Sequence, residues 1–170
     1  MDCFYDRIYF EKYGGEGYSW ANSYPILRPF VAPLLQVMRY QGKAKSSPKV
    51  LDVGCAKGYL VKLLRELGIE AWGVDISEYA IANAPSNVKP YLRRINVEEA
   101  VLPFQNVFCD LVISTSTFEH LHLRKLPFVI SQLRRILKPA GLLIINVPNP
   151  LIREEVEKRS CNYAKKERVG

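Results

Sequence analysis

The sequence lacks long hydrophobic runs: in 170 residues no apolar stretch approaches the ~20 needed to cross a bilayer. It lacks paired cysteines as well. Cys3, Cys55, Cys109 and Cys161 stand far apart with no C-x-x-C, which argues against a disulfide framework or a cysteine-built zinc site. Histidine is nearly absent, and His120 and His122 have a spacing that puts them on different sides of a helix, so no metal is expected. The opening residues, MDCFYDRIYF, have no basic-then-apolar plan of the kind a signal peptide needs. No repeat and no low-complexity tract is visible, and a hydrophobic content of 48% is ordinary for a globular chain. The expectation is a single cytoplasmic domain large enough to bury a core.

What is present begins with a positive excess, a net charge of +7. Arg28, Arg39, Lys43, Lys45 and Lys49 contribute to it without an acid among them. An anionic partner such as nucleic acid or a phosphorylated substrate fits this, and so does plain solubility. Charge alone decides nothing.

Organisation divides into three stretches. Residues 1–48 read as an aromatic, glycine-rich arm with a short helix near its start, followed by an apolar stretch punctuated by Pro25, Pro29 and Pro33. A proline costs about 3 kcal/mol inside a helix but fits its first turn, so the helix there is expected to begin near Pro29 or Pro33. Residues 49–150 alternate strands and helices. VLDV, EAWGVD, KPYLRRI, CDLVIS and GLLIINV read as strands, and YLVKLLRELG, EYAIANA and FVISQLRRILK as helices. Pro90 places the third strand near an edge. Residues 151–170 read as a C-terminal helix or tail. Such alternation implies right-handed βαβ units and a parallel sheet covered on both faces. Ligands in such sheets bind outside the carboxyl ends of the strands, where Asp52 and Asp75 both fall.

The loop between the first strand and helix is Gly54-Cys55-Ala56-Lys57-Gly58. It lacks the second and third glycines of a dinucleotide G-x-G-x-x-G and the GK[ST] of a phosphate loop. What remains is a strand, an acid and a tight loop, with a second acid 23 residues after the first. At this point VLDVGCAKGYL and WGVDIS, followed in order by INVEEAVLPF, FCDLVISTSTFEHL and LRRILKPAGLLIINVPNP, resemble the motifs of class I S-adenosylmethionine-dependent methyltransferases, type 11/23-like. The resemblance covers about residues 49–150. It implies a Rossmann-like three-layer αβα sandwich, an α/β fold with parallel strand order 3-2-1-4-5, and S-adenosylmethionine as cofactor with S-adenosylhomocysteine as product.

Carried onto this chain, the resemblance implies a role for each motif position. Gly54, Cys55, Ala56 and Gly58 would form the loop passing under the methionine and ribose. Asp52 would lie near the amino group, and Asp75 would accept from both ribose hydroxyls. Ile76 would pack on the adenine, Val97 would offer a backbone N–H to it, and Ser114 and Thr115 would line the methionine side. Two positions depart from the pattern. Ala56 replaces the usual middle glycine and fits if its backbone avoids positive φ. Asn96 replaces the usual aspartate; its amide oxygen still accepts, without charge assistance. Capping roles for Asp52 and Asp75 are the alternative reading. Glu119 and His120, in the EHL segment, are candidates for the catalytic pair, His120 as a general base, or else for packing. Tyr13, with Gly14 and Gly15, is a candidate lid, or else packs on the helical face. Cys55 reads as a packed thiol rather than a nucleophile.

Methyl transfer from a sulfonium is a one-step displacement that needs alignment more than a dedicated triad, so the acceptor is only loosely constrained. A small molecule is the first expectation, since no RNA-binding appendage is recognisable. RNA or protein is the alternative, and a non-catalytic cofactor-binding scaffold is a further one. Strand five is expected to end near Val147, and 23 residues follow it. The family's closing helix and strand pair would need ~34. The expectation is therefore a sheet of five strands, with the fifth an apolar edge open to pairing in a homodimer.

Overall fold

In β1 (Lys49–Val53) side chains alternate between two buried layers, so apolar residues are required on both faces, with Asp52 the buried exception. Val50 packs with Leu60, Val61 and Leu64 on one side of the sheet, while Leu51 and Val53 pack with Val129 and Leu133 on the other. This computed structural model describes residues 5–12, 17–40 and 47–148. The lid expected at Tyr13, Gly14 and Gly15 and the helix or tail expected over 151–170 lie outside them.

β2 (Glu70–Asp75), β3 (Leu92–Arg94), β4 (Cys109–Thr115) and β5 (Leu137–Asn146) join β1 in one sheet. The order is 3-2-1-4-5 and every pairing is parallel. This is the expected Rossmann-like architecture. α1 (Arg7–Lys12) and α2 (Trp20–Tyr40) precede β1. α3 (Tyr59–Glu66) follows it, α4 (Glu78–Ala82) follows β2, and α5 (Leu126–Ile136) follows β4. α2 and α3 cover one face through Val31, Leu34, Leu60 and Leu64. α5 covers the other through Val129, Leu133 and Ile136.

Three elements differ from expectation. α2 begins at Trp20 and carries Pro25, Pro29 and Pro33 within it. Their four-residue spacing puts all three on one face, and that face is exposed, so water can reach the carbonyls left without an N–H donor. The opposite face, with Val31 and Leu34, is buried and holds the helix in place. α5 stops at Ile136 rather than Lys138, and β5 begins at Leu137. Leu137 pairs with Cys109 and Leu142 with Leu111, so residues 138–141 bulge out opposite Asp110. Ala140 there has φ 57°, and Lys138 Nζ reaches Asp110 Oδ2 at 2.8 Å. The third strand is shorter than KPYLRRI, because Lys89–Tyr91 form a 3-10 turn led by Pro90.

Candidate functional site

The β1–α3 loop is pinned by β2. Gly54 and Cys55 both donate backbone N–H groups to Val74 O, at 2.8 and 3.1 Å. Gly54 has φ 80°, and a Cβ at that position would overlap the Thr117 side chain, so a glycine is needed on both counts. Ala56 has φ 48°. The condition set for an unstrained fit, a backbone that avoids positive φ, is therefore not met. The loop demands the left-handed turn, and Ala56 repays it by donating its N–H to Asp75 Oδ2 at 2.7 Å.

Asp75, at the end of β2, also accepts from Ser77 N–H through Oδ1 at 2.8 Å. Each oxygen is thus fixed by one amide and keeps further lone-pair capacity. Burial pushes the Asp75 carboxyl up, and the amides of Ser77, Ala56 and Ile76 pull it back. Asp52 is 5% exposed. Strand alternation and the β1–β2 register put it on the same face of the sheet as Asp75. Burial and then the Asp75 charge push its carboxyl up to about 7. No hydrogen bond to the Asp52 side chain is made by the described residues. Two carboxylates at neighbouring strand ends, one buried and unpartnered, make a place for a cation with hydrogen-bond donors.

These strand ends open into a cavity of about 610 Å³. Of the sequence-derived positions, Gly54, Ala56, Asp75, Ile76, Asn96, Val97, Thr115 and His120 line it. Asp52, Cys55, Gly58, Ser114 and Glu119 are not among the lining residues. Gly58 opens α3. Ser114 is fully buried and donates its hydroxyl to Val53 O at 2.9 Å, tying β4 to β1. Burial, with the nearby Asp52 and Asp75 charges, pushes the Cys55 thiol well up, so it is a packed group and not a nucleophile. Asn96 Oδ1 accepts from Glu98 N–H at 3.1 Å, so part of its acceptor capacity is already used.

Glu119 and His120 lie in the 3-10 turn Phe118–His120. His120 Nε2 is 3.9 Å from Glu119 Oε1, and Glu119 Oε2 is buried with no hydrogen-bond partner among the described residues. His122 does not join them. Its ring Nδ1 is 3.0 Å from both carboxylate oxygens of Glu98, and its N–H donates to Glu98 Oε1 at 2.6 Å. Among the described residues no cluster has the makings of a metal site.

The arm supplies what the sequence reading did not place. Tyr5, Tyr9, Phe10 and Tyr18 line the cavity. Ser77 donates its hydroxyl to Tyr5 O at 2.6 Å, Lys57 Nζ donates to Tyr18 O at 3.2 Å, and Tyr18 stacks on Tyr59 with centroids 5.0 Å apart. Aromatic richness was the available signal; which rings face inward depends on these long-range anchors. Glu98 was a further omission. It sits inside INVEEAVLPF and lines the cavity, but nothing local separates it from Glu99.

Comparison with known proteins gives a consistent result. The model of the methyltransferase-domain family matches residues 27–168. A probable S-adenosylmethionine-dependent methyltransferase of Mycolicibacterium smegmatis is 31% identical over 59% of this chain and 38% of its own length. The mitochondrial arginine-hydroxylase NDUFAF5 of Mus musculus is 32% identical over 59% of this chain and 29% of its own length. The chain therefore spans well under half of these relatives. Among solved structures, an S-adenosylmethionine-dependent methyltransferase from Archaeoglobus fulgidus has TM-score 0.63 at 27% identity, covering 84% of this chain and 58% of that one. The PH0226 protein of Pyrococcus horikoshii has TM-score 0.58 at 32% identity, covering 72% of this chain and 57% of that one.

Proposed function

Since the chain belongs to the methyltransferase-domain family, within the class I S-adenosylmethionine-dependent group, we propose that it transfers a methyl group from S-adenosylmethionine to a small-molecule acceptor in the cavity at the carboxyl ends of β1, β2 and β4. The observation that carries this reading is the carboxylate pair. Asp75 has both oxygens held by the Ala56 and Ser77 amides, and Asp52 is buried beside it with no hydrogen-bond partner among the described residues. The pair matches a cofactor that bears an ammonium group and two ribose hydroxyls and has no phosphate. When bound, S-adenosylmethionine supplies a methyl carbon on a sulfonium, a leaving group that departs as the neutral thioether of S-adenosylhomocysteine.

The protein's own work is then to hold, align and exclude water. Asp75 accepts from hydroxyl donors, Ile76 and Val97 offer apolar contact, and Gly54 lets the backbone approach closely. His120, lining the same cavity, takes the acceptor's proton when the nucleophile is a hydroxyl, or an amine that arrives protonated and attacks once its lone pair is freed. The apolar outer edge of β5, with Ile145 at 40% exposure, is proposed to pair with a second copy. Sedimentation showing a monomer at tens of micromolar would count against that pairing.

The test is calorimetric titration of S-adenosylmethionine and S-adenosylhomocysteine into wild type and Asp75→Ala. Wild type should bind both, and the variant should lose at least about tenfold, because hydrogen bonds to a charged group are worth about 1.5–3 kcal/mol. Wild type that ignores both ligands and binds NAD overturns the reading. A second reading comes from the NDUFAF5 relative, whose name points to arginine. In it the acceptor is an arginine side chain of a protein, and methylation of a purified substrate protein rather than of metabolites would separate the two.

A further inference from the structure

The cavity is anionic and aromatic in a chain with a net charge of +7. No lysine or arginine stands among the described residues that line it. Lys57, on the adjoining loop, is committed to the arm. Its Nζ donates to Tyr18 O at 3.2 Å and lies 5.9 and 5.6 Å from the ring centroids of Phe10 and Tyr79.

Asp52 and Asp75 have uses in the methyl-donor reading. Glu98 has none there, yet its carboxylate too is fixed in place. It lines the wall while only 8% exposed. His122 grips it from the surface side, through its backbone N–H at 2.6 Å and its ring Nδ1 at 3.0 Å from both oxygens. A carboxylate has about four acceptor sites, so these contacts fix its orientation and still leave capacity for a ligand donor. Tyr5, Tyr9, Phe10 and Tyr18 supply aromatic wall, which attracts cations as well as apolar bodies. An anionic acceptor would meet repulsion from Glu98 and find, among the described lining residues, no lysine or arginine to offset its desolvation, only the His120 imidazole.

We propose that the acceptor bound in this cavity carries a positively charged nitrogen on an apolar body, recognised by Glu98 and by the aromatic wall of the arm. The proposal rests on the methyl-donor reading and names the chemical class of the second ligand. It concerns recognition, with Glu98 as a binding group and His122 as the residue that positions it.

The experiment uses the full chain saturated with S-adenosylhomocysteine and three shape-matched probes: 2-phenylethylammonium, 2-phenylethanol and phenylacetate. Affinities are read from protein NMR shifts. The ammonium probe should bind at least fivefold more tightly than the alcohol, and phenylacetate more weakly than either. Glu98→Gln should cut the ammonium affinity at least tenfold and leave the alcohol and S-adenosylhomocysteine within twofold. If that variant does not fold, the ranking of the three probes on wild type decides alone. A preference for phenylacetate, the same affinity for all three, or no binding of the ammonium probe at millimolar concentration overturns the proposal and leaves the donor reading intact. Absence of S-adenosylhomocysteine binding overturns both.

Discussion

Asp52 carries the sharpest consequence at the scale of single residues. Its carboxyl lies at about 7 in the folded protein against an ordinary 3.8, so the folded state holds its proton more tightly than the unfolded chain does. The stabilising contribution is complete below the ordinary value and disappears as pH rises through about 7. At pH 8 a buried charge is left facing Asp75. Asp52→Asn should therefore raise the stability of the ligand-free protein by about 2–4 kcal/mol at pH 8 and leave it nearly unchanged at pH 4. Thermal melts at the two pH values check this, and a gain of equal size at both would refute the burial argument. The same group links ligand binding to pH. A cationic amino group has a charge to meet only when Asp52 is ionised, so S-adenosylmethionine affinity should fall as pH drops from 8 to 6, and that slope should be absent in Asp52→Asn. Ala56 gives a smaller test. With φ 48°, Ala56→Gly removes a left-handed strain of roughly 1–2 kcal/mol against a flexibility cost of 0.5–1 kcal/mol, so stability should rise slightly or hold.

Among the elements, those built on short-range pattern were the ones the sequence disclosed. The five strands followed from short, largely apolar runs set between helical periods, their order 3-2-1-4-5 from the resemblance to the methyltransferase motifs, and Gly68 marked the end of α3. α2 was misplaced because proline was treated as a fixed local cost, whereas the burial of Val31 and Leu34 against α3 is a tertiary gain that a local rule omits. The exposed positions of Pro25, Pro29 and Pro33 yield a direct check. Pro29→Ala returns an N–H to a helix interior that already exists, and the unfolded chain gains back some entropy. Net stabilisation of about 1–3 kcal/mol is expected in denaturant titration. Destabilisation would show that the helix does not run through that position. The bulge at 138–141 was missed for a similar reason. LKPAG looks like a turn between elements, and only the pairing of Leu137 with Cys109 reveals that the strand has already begun.

For the molecule as a whole, the cavity divides along the line between what sequence order reveals and what folding assembles. The carboxyl ends of β1, β2 and β4 bring Gly54, Asp75 and Thr115 together because parallel topology places all of them at one edge. The remaining wall comes from an arm far away in the chain and from Glu98, whose partner His122 is 24 residues on, so no local motif announces it. That arm is fastened through the Tyr5 and Tyr18 carbonyls, the Tyr18–Tyr59 stack and Phe10, among other contacts. Phe10 is its one described residue at 4% exposure, packed against Tyr18 and Tyr79 with centroids 5.8 and 6.0 Å away. Truncating a buried phenylalanine costs about 3–5 kcal/mol where a site cannot collapse. α1 has only six residues, and detaching it costs less than unfolding the sheet, so the loss should appear as local release. Phe10→Ala should therefore leave the main thermal transition within about 2 °C. It should also open the arm to rapid proteolysis and weaken the ammonium probe more than S-adenosylhomocysteine, because the donor's main contacts lie on the strand loops. Equal weakening of both ligands would mean that the arm closes over the donor half of the cavity too, and an unchanged proteolysis rate would mean that Phe10 is not what holds it down.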